Sequence, residues 1–270
     1  MKILFCGDVV GKTGRQAILE GIPDLRRRLG LDFVVVNGEN AAHGFGITEN
    51  MCKAFYEAGV DVITSGNHIW DRREIMNTID GDPRLLRPLN YPEGTPGRGA
   101  GVFAARGGLK VKVIHPLGRL FMDPLDDPFA AVERELAGAR LGEDVDAIVV
   151  DIHAEATSEK MAMGQYLDGR VSMVVGTHVH VPTADARILP GGSAYVTDVG
   201  MCGDYDSVIG MKKEEAVNRF TSKLANGRLE PAEGEATLCA LYVETDNTTG
   251  LARQAAPLRM GGCLAEQWPR

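Results

Sequence analysis

No cysteine pattern, no long apolar run and no excess of positive charge organises this 270-residue chain. The five cysteines (Cys6, Cys52, Cys202, Cys239 and Cys263) are odd in number, widely scattered and free of any CxxC pair. That argues against a disulfide framework and against a thiolate zinc knuckle. No stretch reaches the roughly 18 apolar residues of a membrane span. The opening MKILFCGDVVG holds a short apolar run and leads straight into charged sequence, without the features of a signal peptide. A cytoplasmic protein with no membrane partner is therefore expected. The formal net charge is -8, which argues against a chain whose work is gripping nucleic-acid phosphates. Stable nucleic-acid binding is not expected, although a small anion at a local cationic site is compatible. Internal repeats and low-complexity tracts are also missing. With 44% hydrophobic and 24% charged residues, composition favours neither disorder nor a membrane class. One α/β domain over residues 1–270 can bury a core of this size, and two domains would also fit the length.

What is present is an alternation of short apolar runs and longer amphipathic ones. Lys2–Cys6 reads as a buried strand, followed by a helix over 15–29 that Gly30 stops. A second strand covers 33–36. Thr48 is placed to cap a helix that closes near Gly59, and a third strand covers 60–64. This βαβαβ order implies a sheet that begins parallel. Residues 81–128 are rich in Pro and Gly, with an antiparallel pair of strands expected over 101–105 and 110–114 about a Gly107-Gly108 turn. A helix near 129–136 and strands at 147–150, 171–175, 194–197 and 238–244 complete the pattern. The expectation is a mixed, two-sheet α/β sandwich covered by helices.

Five of the strand candidates end in metal-capable residues. The ends read Gly7-Asp8, Gly38-Glu39-Asn40, Gly66-Asn67-His68, Asp151-Ile152-His153 and Gly176-Thr177-His178-Val179-His180. In α/β sheets the carboxyl ends of strands converge on one crevice. Taken singly, each cluster has a plainer explanation. Asp8 alone is a turn or cap residue, Glu39-Asn40 a turn, and His153 a satisfied strand-end histidine. As a set they offer carboxylate, amide and imidazole without thiolate, which suits iron or manganese, with zinc possible. Two such ions about 3.5–4 Å apart can clamp the attacking and leaving oxygens of a phosphoryl displacement. Glu39 is the candidate bridge, Asp8 a ligand to the first ion and Asn67 to the second. His178 and His180 stand at i and i+2, so in an extended segment both point to one side. Of the two remaining histidines, His43 sits in a Gly-rich loop where it can face substrate, and His115 reads as structural. The run from Gly7 to Thr13 imitates a P-loop, but it has three residues between its glycines where four are needed. It would also set the Asp8 carboxylate among amides meant for phosphate.

These clusters resemble the calcineurin-like metallophosphoesterase superfamily, whose usual pattern is DxH, GDxxD, GNH[DE], a lone His and GHxH. Here Val10 replaces the first histidine, Glu39 the bridging aspartate, and Ile69 the acid after GNH, with Asp71 nearby. The last motif is one residue longer before its first His. That set of departures is similar to the YmdB-like branch in particular, as are GDVVGKTGR, NGENAA, SGNHIWD, DIHAEATSEK, GTHVHVPTAD and TDVGMCG. The resemblance implies a four-layer α/β/β/α sandwich, a di-iron or di-manganese centre, phosphodiesterase activity on 2′,3′-cyclic nucleotides, and a homo-oligomer. It implies that Asn40 supplies the ligand Val10 cannot, that Glu39 bridges, and that His68 is the catalytic acid. One ion would then take Asp8, Glu39, Asn40 and His180, the other Glu39, Asn67, His153 and His178. A water shared by two cations would ionise and attack phosphorus in line, with His68 protonating the leaving alkoxide. Arg98 and Lys12 are candidate phosphate contacts or solvated charges. Met201 and Cys202 are candidates to shape the pocket or to pack. Two rival functions remain: a phosphomonoesterase or nucleotidase on the same site, and a metal-bound regulatory protein without catalysis.

Overall fold

Two β-sheets lie face to face in this protein, and the computed structural model describes residues 1–222 and 227–269 of it. The first sheet contains β1 (Lys2–Cys6), β2 (Asp8–Val9), β3 (Phe33–Asn37), β4 (Val62–Thr64) and β5 (Leu85–Leu86). It is completed by β12 (Met201–Asp204), β13 (Ala236–Thr245) and β14 (Ala252–Met260). The strands run in the order β2-β12-β13-β1-β3-β4-β5, with β14 also paired to β13. The second sheet holds β6 (Ala100–Ala104), β7 (Lys110–Ile114), β8 (Ala147–His153), β9 (Met173–Thr177), β10 (Arg187–Ile188) and β11 (Ala194–Val196). Its order is β10-β11-β9-β8-β7-β6.

The expected parallel start is present: β1, β3, β4 and β5 are parallel neighbours, and β13 pairs β1 antiparallel. In the second sheet β7, β8, β9 and β11 are parallel, while β6 and β7 form the expected antiparallel pair about Gly107 and Gly108.

Three apolar layers separate four structural ones. Ile3, Phe5, Val35, Val113, Val149 and Met173 interleave between the sheets. Ile18, Ile22 and Leu25 of α1 (Gly11–Leu29) and Phe55 of α2 (Glu49–Glu57) cover the outer face of the first sheet. Val132 of α3 (Pro128–Leu136) and Met163 and Leu167 of α4 (Thr157–Leu167) cover the second. Period-2 strands with both faces apolar require this arrangement, since each sheet must hide two surfaces. A further helix, α5 (Lys213–Thr221), lies in the segment after β12.

Several boundaries differ from the sequence expectation. Helix α1 starts a turn earlier, at Gly11, and in that added turn Gly14 packs its bare Cα against β12, where a Cβ would come within 2.1 Å of the Cys202 carbonyl. Strand β8 runs on to His153 because the ladder to β9 continues through His153 and Thr177. Helices α4 and α5 and strands β2, β5, β10, β12 and β14 were not legible. Among the described residues no helix is long and apolar enough to cross a membrane.

Candidate metal centre

The parallel strands β1, β3, β4, β8 and β9 all deliver their carboxyl ends to one edge of the sandwich. Asp8, Glu39, Asn40, Asn67, His153, His178 and His180 meet there. Ligand atoms of Asp8, Glu39 and His180 lie within 4.8 Å of one another, as do those of Glu39, His153 and His178. Glu39 belongs to both groups, as a bridging carboxylate would.

The His153 ring is fixed by its surroundings. Thr177 Oγ1 donates its single proton to Asp151 Oδ1 at 2.7 Å. At its 2.9 Å contact with His153 Nδ1 it must therefore accept, so Nδ1 carries the hydrogen and Nε2 keeps its lone pair. That Nε2 stands 3.1 Å from Glu39 Oε2, 3.2 Å from Asn67 Oδ1 and 3.1 Å from His178 Nδ1. His178 Nε2 lies 3.2 Å from the Glu155 carboxylate, which favours a proton there and a lone pair on Nδ1. The His153 Nε2 lone pair thus faces three further acceptors, of which Glu39 Oε2 alone receives a long contact, 3.5 Å, from the His68 N–H. Ligand atoms about 2.1 Å from a shared ion stand roughly 3.0–3.4 Å apart, the separation found here.

The second group differs in holding one amide donor, Asn40, beside an unpartnered carboxylate oxygen. Asp8 is fully buried, and its Oδ1 has no hydrogen-bond partner among the described residues. Burial, with Glu39 nearby, pushes the Asp8 carboxyl well above the usual carboxylate range. His180 donates Nδ1–H to the Ile209 carbonyl at 2.8 Å, which frees Nε2 for a ligand. That Nε2 lies 3.1 Å from the Asn40 side-chain amide, which also touches Glu39 Oε1 at 2.9 Å. The Asn40 backbone pairs with Val10, which brings Asn40 beside the strand end that carries Asp8. Desolvation lowers the basicity of both His178, to about 3, and His180.

His178 and His180 are not on an extended segment, in contrast to the expectation from their spacing. Both have left-handed backbone, with φ of 100° and 65°. Such angles are costly for non-glycine residues and persist where surroundings enforce them. The enforcement comes from carboxylates: His178 N–H donates to Asp8 at 3.2 Å and Val179 N–H to Asp198 at 3.3 Å. Asp198 is in turn bound at 2.7 Å by Lys160 from α4, both side chains being fully buried. Gly66 is required by space, since a Cβ there would lie 1.9 Å from Glu39 Oε2.

His68 lies beside the cluster and is partly exposed. Its Nδ1 pairs with Asp71 Oδ2 at 2.9 Å, and its ring meets Phe45 edge-on at 5.1 Å. Asp71 thus supplies from three residues away the acid missing after Gly66-Asn67-His68. His43 is exposed on the far side of Phe45 and lines a cavity with it. The remaining candidates are elsewhere. Met201 packs in a small apolar cluster with Val10 and Met211, and Cys202 is fully buried, so both are packing residues and not pocket surface. They sit on β12 because it pairs with β2 at Asp8 and Val9. Arg98 is exposed, with its backbone bridged to Leu86, and Lys12 is exposed at the start of α1; neither is bonded to the cluster. His115 is buried with Nδ1 3.1 Å from Asp151. Sequence reasoning missed Thr177, Asp151, Glu155, Lys160 and Asp198. All lie inside or next to the quoted motifs, but no spacing rule marks residues that act through a ligand.

A two-sheet sandwich with this donor set at its shared edge defines a metallophosphoesterase of the calcineurin-like class. A profile of the YmdB-like protein family matches residues 4–258, and the chain belongs to that family. It is 49% identical over 249 residues to the 2′,3′-cyclic-nucleotide 2′-phosphodiesterase of Bacillus subtilis (strain 168), covering 92% of this chain and 93% of that one. A crystal structure of a hypothetical protein from Thermus thermophilus superposes with a TM-score of 0.90 at 42% identity, covering 97% of this chain and all of that one. A Mycoplasma pneumoniae protein described as a novel phosphatase superposes at 0.89 and 35% identity, covering 97% and 93%.

Proposed function

We propose that this chain is a dinuclear metal-dependent phosphodiesterase that opens small cyclic phosphodiesters, 2′,3′-cyclic nucleotides above all. The observation that carries the reading is the cluster of acceptors around His153 Nε2, beside the unpartnered Asp8 Oδ1. Lone pairs forced together in a buried site are relieved by cations. The substrate class rests on the Bacillus relative and its printed activity.

Asp8, Asn40 and His180 would hold one ion, Asn67, His153 and His178 the other, with Glu39 shared. Asn40 would present its oxygen, which a half-turn of the amide supplies at no change of shape. Iron or manganese suits these oxygen and imidazole donors, with zinc possible. Bound there, such ions supply Lewis acidity and lower the pKa of a coordinated water. In the hydrolysis, water adds to phosphorus, one P–O ester bond breaks, and the departing oxygen takes up a proton. His68 is the donor of that proton: Asp71 fixes its Nδ1 side and leaves the opposite nitrogen for the leaving group. Such general acid catalysis contributes about 10²–10⁴-fold. Thr177 and Asp151 keep His153 in the tautomer that presents Nε2.

The test is His68→Ala with metal content measured beside turnover of a 2′,3′-cyclic mononucleotide. Lost turnover with both ions kept supports the acid role, whereas lost metal refutes it. The Mycoplasma neighbour's description as a phosphatase keeps a monoesterase in view. Faster cleavage of p-nitrophenyl phosphate than of its bis ester would favour that alternative.

A further inference from the structure

The loop at 41–46 has two faces. One leads from Asn40 into the metal cluster. The other lines a cavity of about 560 Å³ with His43, Phe45, Arg72, Lys212, Arg219 and Arg228. That volume is in the range of small-ligand sites. The two spaces meet at Phe45, whose ring borders the cavity and also packs edge-on against His68. One aromatic ring therefore separates the cavity from the proton donor.

The cavity is cationic in a chain of net charge -8. Its two carboxylates both act on Lys212, Glu230 through a 2.8 Å ion pair and Glu233 through a weaker charge effect. Arg219 faces Glu215 at 3.6 Å. Arg72 donates to the carbonyls of Ala42 and Phe45, neutral partners that leave its charge unbalanced. Arg228 is exposed and makes no ion pair among the described residues. The Arg228 guanidinium thus stands open beside an exposed imidazole, with the charge of the carbonyl-anchored Arg72 unbalanced next to it, in a recess that Phe45 separates from His68.

Resting on the proposed phosphodiesterase reading, we infer that this cavity is an anion subsite for a second phosphate of the substrate. The substrate class is then a nucleoside 2′,3′-cyclic phosphate that also carries a 5′-phosphate, as at the 3′ end of a cleaved RNA fragment. Guanidinium forks bind phosphate through charge-assisted, often bidentate hydrogen bonds. The reaction class that must supply such a substrate is transesterification of RNA by its own 2′-hydroxyl, which breaks the P–O5′ bond and leaves the cyclic end.

The experiment compares kcat/KM for adenosine 2′,3′-cyclic phosphate with and without a 5′-phosphate, in the full chain and in Arg228→Ala and Arg228→Glu. The expected result is a preference of about tenfold for the 5′-phosphorylated compound. Arg228→Ala should reduce it severalfold and Arg228→Glu abolish it, with the 5′-hydroxyl substrate cleaved at the same rate by all three. Equal rates for the two substrates in the wild-type chain would overturn the subsite, as would a preference that survives Arg228→Glu. If neither substrate is cleaved, the phosphodiesterase reading itself fails. The subsite is then decided by calorimetry, where tighter binding of adenosine 5′-phosphate than adenosine, lost in Arg228→Glu, supports it and equal binding refutes it.

Discussion

The Lys160 ammonium lies 2.7 Å from the Asp198 carboxylate, and neither side chain reaches solvent. Asp198 also receives the N–H groups of Val179 and Gly200. One buried ion pair thus holds helix α4 and the strained His178–His180 turn together.

Replacing Lys160 by Met should leave Asp198 charged, buried and unpaired. The expected loss is about 3–5 kcal/mol of stability by urea denaturation. Metal affinity should fall too, since the turn carrying two histidines loses its anchor. A change below about 1 kcal/mol would show that Asp198 is satisfied by backbone donors alone.

Thr177→Val keeps the shape of the side chain but removes the relay between Asp151 and His153. Without it His153 can carry its proton on Nε2, the nitrogen aimed at Glu39. Partners behind a ligand commonly contribute about 10–100-fold in metal affinity. Competition with a fluorescent chelator should report a drop of that order, and unchanged affinity would count against the tautomer assignment.

Gly66→Ala places a methyl 1.9 Å from Glu39 Oε2 and 2.4 Å from His153 Nε2. Neither neighbour is a flexible side-chain end with free space behind it, because both are buried at the meeting point of the sheets. The variant should fold but bind fewer ions per chain than the wild type by elemental analysis. Full occupancy would mean that β4 can shift to admit the methyl.

Stripping the metals should destabilise the fold. The clustered acceptors would then repel, and Asp8 would have to gain a proton or remain a costly buried charge. A ligand held at a hundred times its Kd stabilises by about 2.7 kcal/mol. For a chain of this size that is a shift in Tm of roughly 5–10 °C. Scanning calorimetry with chelator, then with added manganese, should show the loss and its recovery. An unchanged Tm would mean that no ion is bound in the purified protein.

The strands that carry the site were legible because burial on both faces makes them short, continuous apolar runs, and because each ends in ligand-capable residues, in four of the five cases beside a Gly. Local chemistry therefore determined Asp8, Glu39, Asn40, Asn67, His153, His178 and His180 as candidates, and it marked the antiparallel pair about Gly107 and Gly108. What only the tertiary structure decided was how those donors are oriented and held. The proton position on His153 depends on Thr177 and Asp151 at once, one of them a strand away. The turn at His178 and His180 is left-handed because Asp8, Asp198 and Lys160 converge on it from separate elements. Asp71 reaches His68, and the cavity behind Phe45 gathers charge from Arg72 and Arg228, through contacts that exist once the chain has closed on itself. Periodicity records which face of an element is buried; it carries no record of which distant group that face will meet.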